Sequence, residues 1–144
     1  MQQFFFVRKN NRYEQVHFSE LIFVKAMRGY MQVVTETQVY FVLNTIEEVQ
    51  KYLPQDRFCR THRSYIVALH RVKAFDQFSL TLCAPPEGKG YSPGPSSLTL
   101  LPVGKAFRRN LRNSITIVPN RMNKYVKKIV ADAEFLLEYQ TDEI

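Results

Sequence analysis

Short apolar runs separated by polar turn signals fill the sequence from residue 4 to about residue 118, and this rhythm is the tightest constraint on the fold. Runs of that length fit strands and are too short for most helices. Residues 4–8 and 13–18 flank Lys9-Asn10-Asn11-Arg12, a hairpin turn signal. Residues 21–26 are apolar enough for a buried strand. Residues 30–35 and 39–43 flank Glu36-Thr37-Gln38, a second hairpin. Residues 66–69, 72–75, 78–82, 98–103 and 115–118 continue the pattern. Short strands at such close spacing predict a mainly β, antiparallel domain.

Three helices are expected among these strands. Thr45-Ile46-Glu47-Glu48 fits a capping box, in which the Thr45 hydroxyl accepts from the Glu48 amide and Glu48 reaches back. Asn44 offers an alternative cap. Ile46, Val49 and Leu53 then share one face, and Pro54 ends the helix. A second short helix is predicted over 105–112, with Phe107 and Leu111 on one side and Arg108, Arg109 and Arg112 around it. Pro119 marks a boundary. Beyond it Asn120 can cap a helix to about Tyr139, with Met122, Val126, Ile129, Ala133 and Leu136 on one stripe. Its basic start and acidic end oppose the helix dipole, an order that suits two copies laid antiparallel. The stripe can also pack on its own domain. The chain therefore divides into a domain over 1–118 and a helical extension over 119–144. Residues 84–97 hold four prolines and three glycines and read as an irregular surface loop.

At 144 residues the chain fits one domain, and 11 Phe, 8 Tyr and a hydrophobic fraction of 45% supply a core. No apolar run approaches the roughly 18 residues needed to cross a membrane as a helix. The N-terminal apolar run precedes its charges instead of following them, the reverse of a signal peptide, so a cytoplasmic location is expected. Cys59 and Cys83 then read as buried, reduced thiols. A net charge of +7 attracts polyanions.

Catalysis finds little support. His17, His62 and His70 are scattered, and Cys59-Arg60-Thr61-His62 has zinc-compatible spacing without a second ligand pair. Ser64 lacks the flanking glycines of a nucleophile elbow. Glu47 and Glu48 belong to the surface and cap of their helix. No enzyme activity, metal or cofactor is expected. Polyanion binding is better supported. Arg28-Gly29-Tyr30, the segment 58–67 and the segment 101–105 read as connecting loops that share one task. Lys25 lies just upstream of the first loop, and Gly29 allows a sharp turn or close approach to a phosphate. Arg60, His62, Arg63 and Ser64 cluster in the second; if extended, Arg60, His62 and Ser64 point one way and Thr61 and Arg63 the other. Lys105, Arg108, Arg109 and Arg112 form a third basic group. Residues 28–34 begin like an RNA recognition motif, but its further stacking aromatics and its β-α-β-β-α-β order are absent.

These residues resemble the LytTR DNA-binding domains. The likeness runs from about Phe4 to Leu111 and is most specific at Phe58-Cys59-Arg60-Thr61-His62-Arg63-Ser64-Tyr65-Ile66-Val67. It implies a mainly β fold of about ten short strands in small antiparallel sheets, with short helices. It also implies a bacterial transcription regulator that inserts loops into successive major grooves of double-stranded DNA. Three base-reading places fall on Tyr30, Asn44 and Lys105. Tyr30 suits a base edge, a thymine methyl or the sugar-phosphate; Asn44 suits adenine or a helix cap. Lys25, Arg28, Arg63 and Arg108 suit phosphates, near Met31 and Ser64, while Arg60 and His62 either join them or brace their loop. Gly104 stands where the family often has Ser. Most relatives carry a receiver domain, which nothing here can form, so the chain is expected to stand alone or to be detached from one. The rival reading is a β-domain interaction module whose basic face docks an acidic partner.

Overall fold

The computed structural model describes residues 2–83, 98–120 and 131–133. Among these, ten strands form three antiparallel sheets. β1 (Phe4–Lys9) and β2 (Arg12–His17) make a two-stranded hairpin. β3 (Leu21–Ala26), β4 (Met31–Thr35), β5 (Val39–Val42), β6 (Phe58–His62) and β7 (Tyr65–Ala68) make a five-stranded sheet in the order β5-β4-β3-β7-β6. β8 (Val72–Phe75), β9 (Ser79–Cys83) and β10 (Leu98–Pro102) form a three-stranded sheet with β9 in the centre. α1 (Ile46–Gln50) links β5 to β6. α2 (Arg108–Ser114) follows β10 after a 3₁₀ turn at Lys105–Phe107.

The five-stranded sheet is buried on both faces. On one, Val24, Val33, Ile66 and Ala68 meet Val7, Val16 and Phe18 beside the hairpin and Ile46, Val49 and Leu53 around α1. On the other, Phe23, Val34, Cys59 and Val67 meet Leu80, Leu82, Leu101, Val103 and Leu111. The pairing of β3 with β4 shifts register between Leu21 and Phe23. Such a bulge suspends the two-residue alternation, and Ile22 and Phe23, neighbours in sequence, enter the same core. Burying a side chain of the size of Phe23 contributes about 2 kcal/mol.

Several expectations need correction. Residues 115–118 form no strand, and Ile117 and Val118 are exposed, because no sheet edge is paired with them. Residues 58–62, read as part of a connecting loop, are strand β6, while the strand expected over 66–69 forms as β7. The strand expected over 98–103 forms as β10 and takes in residues 101 and 102 of the segment 101–105 that was also read as a loop. The second helix begins as a 3₁₀ turn and extends to Ser114. Only half of the capping box forms: Thr45 Oγ1 accepts from the Glu48 amide at 3.2 Å, while Glu48 pairs with Lys51 at 3.0 Å. The Thr45 amide donates to Asn44 Oδ1 at 2.8 Å instead. α1 ends at Gln50, and the turns that follow carry Leu53 into the core. Both cysteines are free, Cys59 buried and Cys83 partly exposed. Residues 131–133 are helical. The remainder of the expected C-terminal helix and the expected loop at 84–97 lie outside the described residues.

Candidate nucleic-acid interface

Strand direction gathers the basic turns. β3, β5 and β6 run toward one end of the five-stranded sheet, so the 27–30 turn, the entry to α1 and the 63–64 turn meet there. Gly29 has φ +85°, and the Met27 amide donates to the Tyr30 carbonyl at 2.8 Å to close its turn. The Ala26 amide donates to the Ser64 carbonyl at 2.8 Å and ties two of the turns together. The result is an open groove of about 600 Å³ lined by Gly29, Tyr30, Asn44, Glu47, Arg60, Arg63 and their neighbours. The Tyr30 ring rests against Phe41, centroids 5.8 Å apart.

Arg60 is the hub of this end. Its Nη2 donates to Glu47 Oε1 at 3.1 Å and to the Arg63 carbonyl, and its Nε to the His62 carbonyl at 3.4 Å. Its guanidinium lies 5.4 Å from the centroid of Phe107. The Glu47 carboxyl is held below its ordinary pKa of 4.5, first by its own backbone N–H and then by Arg60. A register shift between Arg60 and His62 removes the expected alternation, so these two side chains do not point one way. Arg60 reaches α1, whereas the His62 ring sits edge-on to Tyr65 at 5.6 Å, and Tyr65 packs on the second core. His62 Nδ1 accepts from the Ser64 amide at 3.1 Å. Burial, then Arg63 and Arg60, push the His62 pKa below 6.5. The chain after β10 is fitted closely here. The Gly104 amide donates to the Thr61 carbonyl at 2.8 Å, and a Cβ on Gly104 would lie 3.2 Å from the Phe107 ring.

Tyr30, Asn44, Arg60, Arg63 and Ser64 thus share one groove. Met31 lines it too but is 1% exposed, so it supports the turn and touches nothing outside. Arg28 is exposed at the turn tip, and Lys105 is exposed just past Gly104, outside the groove lining. Lys25 sits over Tyr65 at 5.9 Å, on the side where His62 packs. Arg108 turns away, donating to the Gln77 carbonyl at 2.6 Å with Phe78 beneath it at 5.3 Å. Glu47, Phe41 and Phe107 complete the site without having been expected in it. A first-turn acid after Asn44 was the available signal for Glu47, but no local pattern pairs it with Arg60. Among the described residues no cluster of three or more His, Cys, Asp or Glu side chains is placed to hold a metal ion, and no helix is long and apolar enough to cross a membrane.

The fold is thus a small antiparallel β domain whose basic turns converge at one sheet end. The family described as the LytTr DNA-binding domain matches residues 11–88, more than half of the sequence. The chain belongs to the LytTR DNA-binding domain family. Among solved structures it is similar to one described as the LytTr DNA-binding domain of a methyl-accepting/DNA response regulator from Bacillus cereus. The identity is 19%, the match covers 81% of this chain and 100% of that one, and the TM-score is 0.62. At that identity the likeness supports the fold. None of the curated proteins compared with the chain matches it.

Proposed function

We propose that this domain binds double-stranded DNA sequence-specifically as a bacterial transcription regulator of the LytTR class, with no enzyme activity and a cytoplasmic site of action. The observation that carries the reading is the convergence of Tyr30, Asn44, Arg60 and Arg63 on one groove. Turns, not a recognition helix, enter the major groove. Tyr30, Asn44 and Lys105 meet bases. The Asn44 amide suits adenine, its oxygen being shared with the Thr45 amide, and Lys105 suits the guanine acceptors as a point charge. Lys25, Arg28 and Arg63 neutralise phosphates and set register. Arg60, His62, Ser64 and Met31 hold the turns, and Arg108 props the β8–β9 turn.

A single domain over 1–118 makes few base contacts, so two copies act together on repeated half-sites. The extension over 119–144 joins them as a homodimer, and the regulator works alone or as the DNA-binding part of a longer one. Light scattering on a chain ending at Val118 tests the pairing; a mass per particle that still corresponds to a dimer removes it. Selection from a random duplex pool tests the main reading. Enrichment of one repeated motif is the expected result. A pool that stays random under salt-sensitive binding would favour a basic face for an acidic protein partner.

A further inference from the structure

The positive charge does not stop at the groove. Lys105, Arg109 and Arg112 stand at i, i+4 and i+7 through the 3₁₀ turn and α2. Within α2 that spacing puts Arg109 and Arg112 on one stripe, and Lys105 precedes them in the 3₁₀ turn. Leu111 is buried in the second core and Asn110 donates to the Arg60 carbonyl at 3.1 Å, so the stripe lies on the other side of the helix. Lys105, Arg109 and Arg112 are all exposed, and among the described residues no ion pair involves them. Residues 98–120 contain no Asp or Glu. Asp76 lies across a smaller groove from Arg108 and Arg112, but its carboxylate accepts from the Phe78 and Ser79 amides at 2.7 and 2.9 Å. Like charges three and four residues apart repel each other, and an anion would relieve that repulsion. Arg108, Arg109, Arg112 and Asn113 also line an open groove of about 670 Å³.

We infer that the outer face of α2 is a second track for the DNA backbone, on which Arg109 and Arg112 neutralise phosphates flanking the bases met at the groove. This rests on the DNA reading above. The 3₁₀ turn starts against the hairpin that carries Arg60, so the track is continuous with the groove rim. From Lys105 to Arg112 a helix rises about 10 Å, which matches about three phosphates at 3.4 Å per nucleotide along one strand. Contacts of this kind add affinity and salt dependence without sequence information.

The test is fluorescence anisotropy on the full chain with the selected duplex and a scrambled one across a salt series. For Arg109→Ala/Arg112→Ala, the slope of log K against log salt should fall by about 2, near 0.9 for each phosphate lost. Affinity for both duplexes should drop by the same factor. Arg109→Lys/Arg112→Lys should keep the slope, and thermal melting of both variants should match the parent. An unchanged slope in the alanine variant, a loss confined to the selected duplex, or an equal loss in the lysine variant overturns the track while the DNA reading stands. If the parent protein shows no salt-dependent binding to either duplex, both fall.

Discussion

Arg60 and His62 set the chemistry of this site at the residue level. Both were expected on the same side of an extended segment. The bulge at Thr61 sends one guanidinium to Glu47 and Phe107 and one imidazole to Tyr65. The folded His62 pKa lies below that of an unfolded chain, so the folded state binds fewer protons in that window. Its stabilising contribution is complete above pH 6.5 and is lost as pH falls through 6.5 toward the lower, folded value. His70 is shifted the same way by burial, then by Arg71 and Arg57. The melting temperature should therefore drop between about pH 7 and about pH 5.5, and less steeply in His62→Gln. A slope identical to that of the parent would show that the imidazole does not contribute. The proposed base and backbone roles can be separated as well. Lys105→Ala should relax preference at one operator position, whereas Arg63→Ala should weaken every duplex alike. Competition assays with single-base operator variants distinguish the two patterns.

Elements differ in how openly the sequence announces them. β1 to β5 stand where apolar runs end at turn residues, and Thr45 caps α1 as its neighbours imply. β6 was hidden because its partly buried positions carry the polar Arg60 and His62, and a bulge disrupts its period. It lies at the sheet edge, where its polar atoms find Glu47 and Asn110. Residues 115–118 erred the other way: an apolar stretch that pairs with no strand does not become one. Tyr30 and Arg63 stand in local basic motifs and Asn44 was pointed to by the family likeness, and the three share one groove. The Glu47–Arg60–Phe107 stack could not be named from such signals, because each member comes from a different element. The 27–30 turn depends on Gly29, whose φ of +85° disfavours any side chain even though a Cβ there would meet nothing within 4 Å. Gly29→Ala should cost about 1 kcal/mol in urea unfolding, from backbone strain alone. An unchanged midpoint would mean that the turn relaxes freely.

For the whole molecule, one sheet serves two cores. β3, β4, β6 and β7 contribute side chains to both faces, so neither core can dissolve while the other stands. Unfolding should be a single cooperative transition. Phe18→Ala on one face and Leu111→Ala on the other should each lower that transition by about 3 kcal/mol. Two resolved steps in calorimetry would mean that the sheet does not couple them. The turns that bear Tyr30, Asn44 and Lys105 project from the end of this frame, and none of those three belongs to either core. If those tips read bases as proposed, a lineage built on such a frame can exchange its operator vocabulary by a few substitutions there, drifting in what it regulates while its architecture stands still.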